Sequence, residues 1–391
     1  MTDQDYQCKV AIVNSRNSGG GAATIAASLS KALPQSRFFV DDAPKVKKIL
    51  NSIFDKVLNK INQKKSGIIW SNGRRGNLDS MNEINQFDIV HLNWINDSFI
   101  SVKNISKINK PIVWTLHDLW PLTGGCHIPL NCSRFQLECG NCPSLGRSGP
   151  NDLSLENLKL KKESYLNKDI TWVAPSHFIK SVVSKHTNTP VEKIVVIHNG
   201  IDLTPFKNLN TKKENKIPIL LFGALNWHVD KNKGASFLEE ALFQLKEEGY
   251  EFSLKVFGSP KETLFSSRLN YENLGEVSKE DLPKVFSNAD SFLFPSMSET
   301  FGLMSVEAQA SGTPVVCFEG HGAQETVEHH KTGYVSKYKD REDFIHGIRF
   351  SIENAKELSN NCKEWVSKNF DREIMITNYK NLYKELHALK S

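Results

Sequence analysis

Two carboxylates, Glu299 and Glu307, are separated by seven residues in the segment Glu299-Thr-Phe-Gly-Leu-Met-Ser-Val-Glu307. The segment follows directly on Ser291–Pro295 (SFLFP), a strand-like apolar run. A helix starting near Phe301 puts Glu307 almost two turns inside it and Glu299 at or just before its N-terminus. The first amides of such a helix, those of Phe301, Gly302, Leu303 and Met304, have no intrahelical partners. That creates an anion-favouring site at a strand's C-terminal end, where open α/β sheets bind ligands. A carboxylate beside it is badly placed for phosphate and well placed for sugar hydroxyls. The plainer alternative is a helix-capping glutamate followed by a solvated one.

A second constellation is made of thiols. Of seven cysteines, Cys126, Cys132, Cys139 and Cys142 fall within 17 residues, with spacing C-x5-C-x6-C-x2-C. The tight turn Cys139-Gly-Asn-Cys142 can offer two thiolates to one ion, and four thiolates at about 2.3 Å suit a closed tetrahedral zinc site. The long stretch from His117 to Pro150 has little apolar periodicity and needs such a source of order. Disulfides, free thiols or an iron–sulfur cluster are the alternatives, and His127 is an alternative ligand to Cys126. Cys8, Cys317 and Cys362 read as small buried hydrophobes.

The elements that must position these groups alternate. Lys9–Val13, Asp88–Trp94, Ile112–Leu116, Thr171–Ala174 and Lys193–Ile197 form one set of strand candidates. Ile217–Gly223, Phe252–Gly258, Ser291–Pro295 and Thr313–Phe318 form a second. Helix-period segments lie between them, a pattern that gives βαβ units and parallel sheets. The polar stretch Phe206–Lys216 separates the sets. The sequence therefore predicts an α/β protein of two Rossmann-like domains facing an interdomain cleft. Residues 1–205 form the first domain, with a cysteine-rich loop at 120–145, and residues 206–370 the second. A terminal helix over 371–391, with apolar positions at Ile374, Ile376, Tyr379, Leu382, Tyr383 and Leu386, packs back on the first domain. An amphipathic helix from Val46 to Ile61 carries a lysine-rich face (Lys45, Lys47, Lys48, Lys56, Lys60, Lys64, Lys65), which reads either as a solvated face or as a contact for an anionic membrane surface.

Within this frame the chain resembles the retaining family-4 glycosyltransferases of the GT-B fold, of the kind found in bacterial surface-polysaccharide synthesis. The resemblance rests on the Glu-x7-Glu segment with its Phe301-Gly302 and the following Glu-Ala-Gln-Ala-Ser-Gly-Thr-Pro-Val-Val. It rests also on Val196-Ile-His-Asn-Gly-Ile-Asp202, on Gly19-Gly-Gly-Ala-Ala23, on Thr115-Leu-His-Asp118, and on Leu274-Gly275, Ala289-Asp290 and Gln324-Glu325 in order. It implies a transferase that moves a sugar from a nucleotide-diphosphate donor to a growing glycan or lipid-linked acceptor. Glu307 would accept from the ribose hydroxyls, and Glu299 with the amides of Phe301, Gly302 and Leu303 would hold the sugar. His117 would stand near the reaction centre, Gly20 and Gly21 would let the backbone approach a diphosphate, and Asn199 would lie on the donor side. Lys233, before Gly234, would meet the phosphates. Ala224 stands where the family has an arginine, and Lys231 is the candidate substitute. The family reacts by front-face attack and needs no metal for chemistry, so any zinc here is structural.

Composition narrows the alternatives. The chain has 391 residues, 39% hydrophobic and 24% charged, ordinary values for a folded globular protein. Its longest apolar run, near Ile217–Leu225, is far short of the roughly 20 residues of a spanning helix. The first ten residues lack the basic and apolar regions of a secretory signal, and the expected location is cytoplasmic, with peripheral membrane contact. Residues 1–205 hold 25 Lys+Arg against 17 Asp+Glu, while the remainder holds 24 against 27. A basic first half suits anionic partners. A nucleotide-sugar epimerase of the same architecture is the rival enzyme. A nucleic-acid-binding module is the rival of another class, and the sequence offers it little interleaving of aromatic and basic residues.

Overall fold

The computed structural model describes residues 8–42, 44, 50, 53, 69–76, 81–129, 132–186, 189–207, 209 and 215–389. The lysine-faced segment from Val46 to Ile61 lies almost wholly outside them. By internal contacts the chain divides into two compact units. Unit 1 is Met1–His198 with Met375–Ser391, and unit 2 is Asn199–Ile374. Each is built on one six-stranded sheet in which every pairing is parallel.

In unit 1 the strands are β1 (Val10–Val13), β2 (Ser36–Phe39), β3 (Ile89–Leu92), β4 (Ile112–Thr115), β5 (Ile170–Ala174) and β6 (Ile194–Val196), in the order β2-β1-β3-β4-β5-β6. β1, β3, β4 and β5 are buried along their whole length, as their continuous apolar runs require for a sheet covered on both faces. The strand order reverses between β1 and β3. In unit 2 the strands are β7 (Ile219–Gly223), β8 (Ser253–Phe257), β9 (Tyr271–Asn273), β10 (Ser291–Phe294), β11 (Val315–Phe318) and β12 (Gly333–Ser336), in the order β12-β11-β10-β7-β8-β9. Here the reversal falls between β7 and β10. Such reversals open a crevice at the strands' C-terminal ends, so the topology alone marks two places for ligands.

The two Rossmann-like sheets are those the sequence predicts. Three strands escaped it: β2, β9 and β12. All three are sheet edges, and they lack the apolar runs that mark the central strands.

The terminal helix, Arg372–Ala388, begins in unit 2, where Arg372 pairs with Asp202 at 2.9 Å. From Met375 onward it belongs to unit 1. Its buried side chains are Met375, Ile376, Tyr379, Leu382 and Tyr383. Ile374, expected on that face, is exposed, and Met375 takes the inward position. The helix is bound to the first sheet by a buried polar chain. Tyr383 Oη lies 2.7 Å from His91 Nδ1, His91 Nε2 lies 2.8 Å from Thr115 Oγ1, and Thr115 Oγ1 lies 2.7 Å from Tyr379 Oη. Burial, with a smaller contribution from His117, holds the His91 pKa down at about 3, so it is neutral in this network. No helix among the described residues is long and apolar enough to cross a membrane.

Candidate active site

In unit 2 the loop after β7 runs from Ala224 to a short 3-10 turn, Lys231–Lys233, capped by the Asp230 carboxylate accepting from Asn232 N at 3.0 Å. Gly234 closes the turn at φ +73°, and a Cβ there would stand 2.0 Å from the Pro295 carbonyl oxygen. Only glycine permits this approach of the β7 loop to the end of β10. The approach is fixed further by Met297 N donating to Asn232 O (2.7 Å) and Asn232 Nδ2 donating to Ser298 O (2.8 Å).

The result brings Lys233 Nζ to 2.8 Å from Glu299 Oε1, with both side chains largely shielded from solvent. Burial alone would neutralise either group. In each the partner outweighs it, so Lys233 is held above its usual pKa and Glu299 below its own. Lys231, on the same turn, is exposed.

The helix carrying Glu307 spans Leu303–Ala310 and is entered through Gly302. It begins two residues later than the sequence suggests, because Phe301 is drawn into a small core with Ile201 and Phe370, its ring 5.5 Å from that of Phe370. The first-turn amides are therefore those of Leu303 and Met304. Glu307 is half-buried on this helix; burial pushes its pKa up to about 7, against a smaller downward pull from Lys279. Asn199 is buried, and its amide oxygen has no partner among the described residues.

Sequence reasoning missed His321. It is 1% exposed, caps the turn after β11 through Nδ1 accepting from Ala323 N at 3.2 Å, and helps lower the Glu299 pKa. Its position just past a strand end was the available signal.

In unit 1, Gly19 and Gly20 take φ +83° and +79°, and space in front of both is open. Gly20 caps the helix Gly21–Ala32. His117 follows β4. Its Nε2 lies 2.9 Å from Asn93 Oδ1, and burial, opposed by Asp118, holds its pKa at about 4. Asp118 is held at both oxygens: Oδ1 accepts from Trp120 N (2.9 Å), while Oδ2 accepts from Trp94 Nε1 (2.8 Å) and lies 2.6 Å from His127 Nδ1. His127 Nε2 in turn meets Ser71 Oγ at 2.9 Å. Both ring nitrogens of His127 are thus engaged by hydrogen bonds.

The four clustered cysteines form no disulfide and border one pocket with Trp70 and Phe135. Gly124 N donates to Cys139 Sγ at 3.3 Å. No three of the four sulfur atoms lie within 4.8 Å of one another. The loop's beginning is anchored by Lys161, fully buried, which donates to the Trp120 and Thr123 carbonyls and lies 3.6 Å from the Trp120 ring centroid. Cys8, Cys317 and Cys362 are buried apart from this cluster.

Comparison with known proteins fits this geometry. Residues 19–205 match the family model described as Glycosyltransferase Family 4, and residues 204–368 that described as Glycosyl transferases group 1. A Klebsiella pneumoniae protein named for its place in the cps region is 24% identical over 327 residues, covering 77% of this chain and 79% of that one. The putative colanic acid biosynthesis glycosyl transferase WcaC of Escherichia coli K12 is 24% identical over 259 residues, 62% of this chain and 61% of its own. Among solved structures, Anabaena Alr3699/HepE in complex with UDP superposes with a TM-score of 0.64 at 15% identity, covering 96% of this chain and all of that one. The sucrose-phosphate synthase of Thermosynechococcus elongatus does so at 0.66 and 17%, covering 98% of this chain and all of its own. With matches running from residue 19 to residue 368 and a fold shared across nearly its whole length, the chain belongs to the family-4, group 1 glycosyltransferases, retaining enzymes of the GT-B fold.

Proposed function

We propose that the chain transfers a hexosyl group from a nucleoside-diphosphate sugar to a growing, lipid-linked glycan in the synthesis of a surface polysaccharide. The observation that carries this reading is the shielded Lys233–Glu299 pair beside the first turn of the Glu307 helix. A cation, a carboxylate and a helix start following one strand end, with a second carboxylate on that helix, are the kinds of group that a diphosphate, a sugar and a ribose require. The relatives named for colanic acid and the cps region support the polysaccharide context. The UDP held by HepE makes a uridine nucleotide the first donor to try.

In this reading Glu307 accepts from the ribose hydroxyls and Glu299 from the sugar. Lys233 and the amides of Leu303 and Met304 stabilise charge on the departing diphosphate, and Lys231 supplies a second cation in place of the arginine absent at Ala224. Phe301 and Gly302 shape the entry to that helix, Asn199 lies on the donor side, and Gly20 and Gly21 admit the diphosphate. Unit 1 serves the acceptor, with His117 hydrogen-bonding near the anomeric centre. The acceptor oxygen bonds to the anomeric carbon on the face from which the phosphate oxygen departs, and that oxygen takes the hydroxyl proton. The nucleoside diphosphate is released, and the step uses no metal, as is typical of the family.

A melting screen against UDP, GDP, ADP, CMP and dTDP and their sugars tests this. One nucleotide should raise the melt, as ligand binding to the folded state requires, and Glu307→Ala should abolish the shift. No shift from any nucleotide sugar would overturn the donor reading. Change of the donor without an acceptor would favour an epimerase instead.

Two further roles belong to this proposal. The cysteine quartet fits zinc in donor type and number. Holding a tetrahedral ion at about 2.3 Å draws the sulfurs to about 3.8 Å from one another, closer than any three of them together now stand. Metal analysis of the purified chain should find about one zinc, and EDTA should lower the melt; no zinc and no change would sink the idea. The lysine-rich stretch 45–65 suits peripheral contact with an anionic leaflet. Charge reversal there should weaken vesicle binding, and unchanged binding would exclude it.

A further inference from the structure

The two carboxylates of unit 2 are joined by chain that does not by itself fix their separation. Glu299 lies in an irregular segment between β10 and the helix Leu303–Ala310, and that segment ends in Gly302 at φ +106°. Glu307 sits on the helix. A later part of the chain, the turn Gly322–Thr326 capped by His321, ties the two together. At its start Gly322 N donates to Glu299 O at 2.8 Å, and a Cβ on Gly322 would stand 2.2 Å from Thr300 O. Next along the turn, Ala323 packs on Gly302, where an added Cβ would lie 3.2 Å from the Ala323 Cβ. The end of the turn meets the buried side of the helix.

That side carries Ser305 and Gln309, one helical turn apart and both fully buried, as is Thr326. Thr326 Oγ1 donates to Ala323 O at 2.7 Å, so its hydrogen is spent and the 2.6 Å contact with Ser305 Oγ is a donation from the serine. Gln309 Nε2 donates to Thr326 O at 2.9 Å and to Ser305 O at 3.1 Å. Trp365 Nε1, on the helix Ala355–Asn369, also donates to Thr326 O, at 2.9 Å. The Gln309 amide oxygen, in contrast, has no donor among the described residues. A buried amide with one end unsatisfied is a poor choice for stability, because an apolar side chain of the same shape carries no such penalty. What the amide does supply is a fixed geometry.

We propose that Thr326, Ser305 and Gln309 are positioning residues for the donor: they set the distance between Glu299 and Glu307, and so make the site read nucleoside and sugar as one ligand of fixed span. The inference rests on the reading of Glu307 as the ribose acceptor and Glu299 as the sugar acceptor. A bare nucleoside diphosphate uses only one of the two carboxylates and can shift to suit it. A nucleotide sugar must meet both at once, and it alone is sensitive to their separation. The three side chains are fully buried and touch no ligand. They act through the turn and the helix.

The test measures, by calorimetry on the full chain, the dissociation constants of UDP and UDP-glucose, GDP and GDP-mannose, ADP and ADP-glucose, and dTDP and dTDP-glucose. The quantity read is the ratio of each nucleotide's constant to that of its sugar conjugate. Thr326→Val keeps the shape and removes the hydroxyl; Gln309→Met removes the amide together with its unsatisfied oxygen. In each, the ratio should fall about 10-fold, the loss of one well-placed hydrogen bond to the sugar. Affinity for the bare nucleotide should stay unchanged, which also reports that the variants are folded. Should one variant lose bare-nucleotide binding, the other decides. Thr326→Ser should restore the native ratio. Ser351→Ala removes a buried hydroxyl bonded to Ser291 Oγ at 2.7 Å elsewhere in unit 2, and should lower the melt while leaving the ratio native. A native ratio in Thr326→Val and Gln309→Met, or an equal fall in Ser351→Ala, would reduce the cluster to packing and overturn the proposal. If the unsubstituted chain bound none of these nucleotides, the donor reading itself would fail, an outcome seen before any variant is made.

Discussion

Glu307 has an acidity that falls within the physiological range, and its consequences run in two directions. Its pKa of about 7 lies above the unfolded value near 4.5. The stability linked to this group is therefore fully present below about pH 4.5 and is lost as pH rises through about 7. Glu307→Gln should melt higher than the native chain at pH 8, by up to about 3 kcal/mol in stability, with the gap closing toward pH 5. Nucleotide binding should behave oppositely. A ribose needs the carboxylate as acceptor, so affinity should rise between pH 6 and pH 8 and be flat in Glu307→Gln, with calorimetric titration as the check. A native affinity independent of pH would remove Glu307 from the ribose role. Glu299, Glu307 and Lys233 were legible because short chain segments at strand ends carry them. Asn93 and His321 were not, because their significance lies in burial, which depends on neighbours distant in the chain. The same holds for the contacts, though not the identities, of Asp118 and His127: the two meet across nine residues, and His127 meets Ser71 across 56.

Among the elements, the central strands announced themselves by apolar runs, and the edge strands did not. β12 reads GYVS, with no continuous aliphatic run, and β9 reads YEN, three residues without one. Their pairing depends on a neighbour already in place. The terminal helix was legible by its spacing, yet its attachment was not. Nothing in the sequence joins Tyr383 to His91 across 292 residues. Tyr383→Phe keeps the ring and removes the hydroxyl, leaving His91 Nδ1 without that partner in a buried setting. The cost should be about 1–2 kcal/mol, read from urea unfolding, while Lys380→Ala, at a half-buried position of the same helix outside the Tyr383–His91 chain, should cost less. Equal costs would mean that the polar chain contributes nothing beyond the packing of the helix.

At the scale of the whole molecule, the two units differ in how the chain composes them. Unit 2 is one continuous stretch, Asn199–Ile374, with its own six-stranded sheet and apolar clusters. Residues 199–374 expressed alone should melt cooperatively and keep nucleotide binding. Residues 1–198 alone should not form a stable unit, because Met375–Ser391 supplies the partners of His91 and Thr115. Joining 375–391 to 198 through a flexible linker should restore cooperative melting, followed by circular dichroism. A cooperative transition in 1–198 by itself would show that the terminal segment is dispensable.

That discontinuous unit also reverses the usual order of events on the ribosome. Chains generally fold their leading domain first as it emerges. Here the leading sheet lacks its closing helix until residues 375–391 have left the exit tunnel, by which time the later unit is already synthesised whole. The first unit made is the last that can be completed, because Tyr379 and Tyr383, buried in it, are synthesised after the whole of unit 2.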